Sequence, residues 1–154
     1  MTMARSTALG LFLVTILLTV GCGGSGRPPA IPAGGKVTYK QNTPPVGALV
    51  VFHPATYDLE KQIGGKPVGK VRADGTFTLT TYEEGDGAPE GEYGVTIDWR
   101  GEPKPSKLSL TSEGGEGLGS GPPRLNPKYS NPQQPFTKVM VKKGEANQFT
   151  FEVD

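Results

Sequence analysis

The sequence predicts an all-β protein, a single β-sandwich of seven strands behind an N-terminal export signal. Three observations carry that expectation. Apolar residues recur with a period of two from Gly35 onward, turn-forming residues separate the runs, and no stretch shows a convincing amphipathic helix. The chain has 154 residues with 23 Gly and 15 Pro and is only 34% hydrophobic, which excludes a helical bundle or a polytopic membrane protein and argues for one domain. Lys and Arg number 16 against 15 Asp and Glu, so the basic excess by which nucleic-acid binders displace counterions is missing. With one Cys and one His, neither a zinc cluster nor a disulfide framework can be built.

Residues 1–21 read as a signal peptide. Arg5 supplies the positive charge, no acidic residue is present, and an apolar run extends from about Ala8 to Val20. A run of that length falls short of the roughly 20 residues that cross a bilayer. The only cysteine, Cys22, follows in Leu18-Thr19-Val20-Gly21-Cys22, which resembles a bacterial lipobox. That resemblance implies cleavage before Cys22, a diacylglyceryl thioether on its sulfur and acylation of the freed amine. One acyl chain holds a protein only marginally, whereas two or three anchor it stably. Gly23 rather than Asp after the cysteine points to the outer membrane by analogy with lipoprotein sorting. Cleavage leaves 133 residues and, with Arg5 gone, fifteen basic against fifteen acidic side chains. Residues 22–34 are then a lipidated Cys and a Gly/Pro tether, GGSGRPPAIPAG after the cysteine, spanning at most roughly 40 Å.

The domain is expected over residues 35–154. Val37 and Tyr39 alternate with Lys36, Thr38 and Lys40, and Ala48 to Phe52 is a continuous apolar run that suits a central strand covered on both faces. Val68 to Ala73 and Thr76 to Thr80 flank Asp74-Gly75, a strong hairpin signal because Gly accepts the positive φ of a tight turn. Tyr93, Val95, Ile97 and Trp99 share one face of the clearest strand. Val139 and Val141 precede the Lys143-Gly144-Glu145 turn, after which Phe149, Phe151 and Val153 alternate with polar residues; the last two strands are expected to form a hairpin. Between Gly101 and Pro135 lies a Pro/Gly-rich insertion, with Lys107-Leu108-Ser109-Leu110 as a possible edge strand and five glycines between Glu113 and Gly121.

Gly35-Lys36-Val37-Thr38-Tyr39, Pro45-Val46-Gly47-Ala48-Leu49-Val50, Asp74-Gly75-Thr76-Phe77-Thr78-Leu79 and Gly91-Glu92-Tyr93-Gly94-Val95-Thr96 resemble, in order and spacing, the carboxypeptidase regulatory-like domains. With Asp86 to Tyr93, Lys128-Tyr129-Ser130-Asn131-Pro132 and the closing block from Val141 to Phe151, nearly the whole mature chain resembles small planctomycete lipoproteins that carry such a domain. The resemblance implies a seven-stranded transthyretin-like, Ig-like sandwich. It also implies no enzyme, because these domains lack the peptidase zinc site; the shared motifs are turn and strand positions, which specify fold rather than activity.

Several residues invite a chemical reading. Tyr82 to Glu92 holds five carboxylates and no Lys or Arg, so a hard cation such as calcium has Glu84, Asp86 and Glu90 as candidate ligands, although the alternating spacing of an EF-hand is absent. The expectation is a chain without a resident metal or cofactor. His53, before Pro54, is the one imidazole a hydrolase could use, yet no nucleophile-elbow sequence accompanies it; a structural hydrogen bond at a strand end suits it better. Tyr57, Tyr82 and Tyr129 are candidate ligand-binding aromatics for a glycan or a protein partner, with Tyr57 and Tyr129 expected to be exposed and Trp99 to pack at the core rim. The resulting expectation is a non-enzymatic module, anchored to a membrane outside the cytoplasm through Cys22, that binds, adheres or scaffolds in the cell envelope. Its partner would be an envelope protein, with a carbohydrate- or peptidoglycan-binding module as the alternative and no role for nucleic acid.

Overall fold

Alternation governs the strands of the computed structural model, which describes residues 26–101 and 121–154. Along Asn147–Val153 the buried or half-buried Asn147, Phe149, Phe151 and Val153 alternate with exposed Gln148, Thr150 and Glu152, as expected where one face meets a core and the other meets water. Among the described residues the strands are β1 (Ala30–Ile31), β2 (Ala33–Tyr39), β3 (Leu49–Pro54), β4 (Val68–Lys70), β5 (Thr76–Thr78), β6 (Ala88–Pro89), β7 (Gly91–Asp98), β8 (Thr137–Val141) and β9 (Asn147–Val153). One short helix, α1 (Tyr57–Ile63), and a single 3-10 turn at Pro127–Tyr129 complete them.

The strands form several sheets rather than one: β4-β3-β7-β8, β5-β2-β9, and the pair β1-β6. The two larger sheets share a core. Phe52 of β3 lies 5.6 Å from Phe149 and 6.4 Å from Phe151 of β9, ring centre to ring centre, and Phe77 of β5 stacks on Phe151 at 6.0 Å. Val37, Val50, Val95, Ile97 and Leu79 are sealed around these rings.

Several connections depart from the expectations. The Asp74-Gly75 turn forms as expected, with Asp74 Oδ1 accepting from the Thr76 backbone N–H at 2.9 Å and its hydroxyl at 2.7 Å, and with Gly75 at φ 84°. Its arms, however, belong to different sheets: β4 pairs with β3, and β5 pairs with β2. The arms are held together by the Val68–Thr80 bridge, the Arg72 to Thr76 backbone bond and the Arg72 guanidinium, which donates to the Thr78 hydroxyl at 2.9 Å. The last two strands likewise make no hairpin. β8 pairs with β7, while β9 crosses to the other sheet and runs parallel to β2 from Ala33↔Asn147 to Tyr39↔Val153. Asn147 closes that crossing turn, accepting from Lys142 N–H at 2.9 Å and donating to the Lys142 carbonyl at 3.1 Å.

The strand buried on both faces is β7, where Tyr93 through Ile97 are all buried, rather than β3, whose Leu49 and Val51 remain half-exposed. Its outer face is covered by the far end of the Gly101–Pro135 insertion: a Cβ on Gly94 would meet Pro135 Cγ at 2.5 Å. Residues 121–135 are therefore part of the packed domain, with Leu125 and Tyr129 buried, whereas Lys107 to Leu110 and most of the Glu113–Gly121 stretch fall outside the described residues.

At the other end, strand structure is present before Gly35. Residues Ala30–Ile31 of the expected tether pair with Ala88–Pro89, and β2 starts at Ala33. Two apolar residues suffice here because a partner strand stands ready to take their backbone groups. The helix α1 is a further departure from the all-strand expectation. Thr56 caps it, accepting from Leu59 N–H at 3.3 Å, and Gly64 ends it at φ 74°. Two turns are too few for a 3.6-residue period to stand out; Leu59 and Ile63, four apart, are the apolar positions it packs.

Candidate functional site

Cys22 lies outside the described residues. The other candidates fall at separate places on the domain.

The acidic turn after Thr80 closes on itself. Asp86 accepts the backbone N–H of Thr81 at 2.7 Å, of Tyr82 at 3.0 Å and of Glu83 at 3.1 Å. Partial burial opposes ionisation of this carboxyl, but the converging N–H donors outweigh it and hold its pKa below the ordinary aspartate value. Thr81 Oγ1 donates to the Gly87 carbonyl and Thr80 Oγ1 accepts from Gly85 N–H, so the turn's polar groups are largely used internally. Glu90 faces the other way, its carboxylate 3.5 Å from Lys143 N–H. Glu84 lines a groove of about 570 Å³ with Lys70, Arg72, Leu49 and Val68. Glu84, Asp86 and Glu90 thus do not converge, and no group of three possible metal ligands exists among the described residues. Asp86 is a staple of the loop.

His53 sits in β3 beside β7, with Nε2 2.8 Å from Thr96 Oγ1. Burial, aided by the nearby Lys66 ammonium and opposed by Glu60, lowers its pKa from the ordinary 6.5. The shift favours the neutral imidazole, which is bonded to a strand hydroxyl, as a structural histidine would be.

The aromatic candidates are scattered. Tyr57, on α1, is 76% exposed. Tyr82 is half-buried, its hydroxyl donating to the Pro28 carbonyl at 2.9 Å while the Arg27 guanidinium lies 5.7 Å from its ring centre. Tyr129 is not exposed: only 7% of it is accessible, because its ring packs edge-on against Phe136 at 5.3 Å and Phe136 in turn meets Phe151 at 5.7 Å. Its hydroxyl bonds the Asp154 carboxylate, which also holds Lys128 Nζ at 2.9 Å. Trp99 packs at the rim as expected, 5.3 Å from Tyr39, with Nε1 donating to the Val46 carbonyl at 3.0 Å and Arg124 over its ring at 5.1 Å.

A second feature escaped sequence reasoning. Segment 128–136 and β9 enclose an open cleft of about 440 Å³ lined by Lys128, Tyr129, Asn131, Gln134, Phe136 and Glu152. Its polar side chains come from a Pro-rich loop and from the exposed face of β9, with Glu152 lying 18 residues beyond Gln134, so no local pattern announces it. Amide, carboxylate and ring edges around one cleft suit a polar ligand with an apolar face.

These features define a β-rich domain with one short helix, whose polar turn is self-satisfied and whose open polar surface lies in a side cleft. Comparison with protein-family models, with curated proteins and with solved structures finds no match to this chain.

Proposed function

We propose that the chain is an exported, non-enzymatic β-sandwich module of transthyretin-like type, anchored by lipid on Cys22 to a membrane outside the cytoplasm, that binds or scaffolds in the cell envelope. The observation that carries this reading is the Gly21-Cys22 pair at the end of an apolar run headed by Arg5, with no other cysteine in the chain. Two features of the domain are consistent with it. No described helix is long and apolar enough to cross a membrane, and the two larger sheets contribute three and four strands around one core. The experiment is metabolic labelling with radioactive palmitate. Wild-type protein incorporates the label and partitions into detergent, and Cys22→Ser abolishes incorporation while leaving the circular-dichroism spectrum of the domain unchanged. Label that persists in Cys22→Ser overturns the anchor.

A second reading, a carbohydrate- or peptidoglycan-binding module, is favoured by one observation: the cleft of Asn131, Gln134, Glu152 and Phe136. Planar amides and carboxylates bridge adjacent hydroxyls, and an aromatic edge takes the apolar face of a sugar ring. It relocates the expected site from Tyr57 and Tyr82 to the cleft beside Tyr129. Binding of the domain to envelopes stripped of protein by protease supports it; binding lost on that treatment points to a protein partner.

A further inference from the structure

The described structure begins close to the lipidation position, and the way it begins sets how the domain stands. Tyr82 donates to the Pro28 carbonyl at 2.9 Å, Arg27 lies over the Tyr82 ring, and Ala30 and Ile31 pair with Pro89 and Ala88. The chain is thus joined to the domain from Pro28 onward. Only residues 23–27 separate that point from Cys22, and six residue steps reach at most about 20 Å. This is half the reach of a tether running to Gly34.

The attachment is also polar in the geometric sense. Pro28, Tyr82 and the start of β2 share one end of the domain with Ala88–Pro89, Gly91 and the Lys142–Asn147 turn, because Ala33 pairs with Asn147 and Gly91 with Val141. Helix α1 belongs to this end as well: Pro54, which precedes it, pairs with Tyr93, and a Cβ on Gly91 would touch Leu59. Tyr57, 76% exposed, is therefore presented here. The opposite end carries Tyr39, Lys40 and Trp99, with the Tyr39 and Trp99 rings 5.3 Å apart. Along β2 the two ends are separated by six strand steps, about 20 Å at the usual rise.

We propose that the domain is held with the Tyr57–Tyr82 end against the phospholipid headgroup layer and the Lys40–Trp99 end turned away from it. The inference rests on the lipid-anchor reading above. For the Lys40–Trp99 end to face the bilayer, residues 23–27 would have to run back along the whole length of β2, which consumes their full contour. An exposed tyrosine suits the facing position, since its ring and hydroxyl match the apolar and wet sides of a membrane interface. Both charge signs are present there, Arg27 over the Tyr82 ring and Lys143 beside the Glu90 carboxylate, so the contact is imposed by the tether rather than by attraction to anionic lipid.

The test uses the full lipidated chain in phosphatidylcholine vesicles containing a nitroxide-headgroup phosphatidylcholine as quencher. Cys22, the only cysteine, carries its lipid as a thioether, so Tyr57→Cys and Lys40→Cys each supply one free thiol at an exposed position for a fluorescent label. The expected result is several-fold stronger quenching at position 57 than at position 40, with native Trp99 emission unquenched. A longer Gly/Ser tether inserted between Gly24 and Ser25 is expected to abolish the difference. Protein that floats with the vesicles yet is quenched equally at both positions overturns the orientation and leaves the anchor standing. A difference that survives the longer tether overturns the tether as its cause. Protein that fails to float overturns the anchor and the orientation together.

Discussion

The turn over residues 81–87 and the segment over residues 126–136 look alike as strings, both polar and rich in Gly or Pro, and they behave in opposite ways. In the first, Asp86 gathers three backbone N–H groups and Thr81 closes on the Gly87 carbonyl, so its polar groups answer one another. In the second, the Asn126 and Asn131 side-chain carbonyls accept the Lys128 and Gln133 N–H groups and turn the chain, while the Gln134 and Glu152 side chains are left around a cleft. A polar residue already satisfied by its own loop is structural, and one left facing a cavity is available to a ligand. Substitutions in the first region should therefore register in stability, and substitutions in the second in binding.

The largest effect is expected at Gly87. It sits at φ 97°, and a Cβ there would run into the Ile31 carbonyl and lie 2.8 Å from Ala33 N. Gly87→Ala adds a conformational penalty to a backbone clash against the strand that begins the domain, and about 3 kcal/mol of destabilisation is expected. Urea denaturation followed by tryptophan fluorescence measures it. A loss below about 1 kcal/mol would mean that the β1–β6 pairing yields easily.

Next comes Asp86→Ala, which strands three donors at once and should cost about 2 kcal/mol, while Glu84→Ala, in the same acidic stretch, stays within about 0.5 kcal/mol. Equal losses at both positions would return the turn to a generic acidic surface. Acid acts on the same staple: a carboxyl whose pKa is lowered on folding contributes stability that is present above its unfolded value and disappears as pH falls through the folded one.

Much of the strand content is legible from the sequence and little of the pairing. Phe149, Phe151 and Val153 declare their face because each is opposed by a polar neighbour in the chain, a decision made two residues at a time. That β9 lies parallel to β2 depends on residues more than a hundred positions away, and nothing in the Lys143-Gly144 turn says that the chain crosses between sheets there instead of folding back. The same holds for the sites. Asp86 and Glu84 are equivalent as letters, and only the positions of three N–H groups tell them apart. Tyr129 is flanked by Lys128 and Ser130, both exposed, and its burial follows from meeting Phe136 and Asp154.

A smaller effect is expected from His53, whose ring is satisfied by Thr96 across the β3–β7 pair. Its pKa is lowered from 6.5 on folding, so the unfolded chain takes up the proton first as pH falls. The stability this group contributes is complete above that value and is lost as pH drops from there toward the folded value, levelling off below it. Partial exposure of the ring keeps the loss modest. Urea midpoints at pH 7.5 and 5.5 should fall for the wild type and fall less for His53→Gln; equal falls would assign the acid sensitivity to carboxylates.

The smallest stability effect belongs to the cleft. Gln134→Ala removes a side chain that is exposed and bonded to nothing among the described residues, so the denaturation midpoint should move by no more than about 0.5 kcal/mol. The same substitution is where envelope binding should respond if the cleft takes the ligand, because an amide at the mouth offers both a donor and an acceptor to a hydroxyl pair. Measured together on Gln134→Ala and Asp86→Ala, stability and envelope binding should separate: the turn variant loses the first and keeps the second at temperatures where it is folded, the cleft variant the reverse. Binding that survives Gln134→Ala but is lost on replacing Tyr57 would move the ligand to the α1 end, and with it the boundary between the structural and the available polar surface.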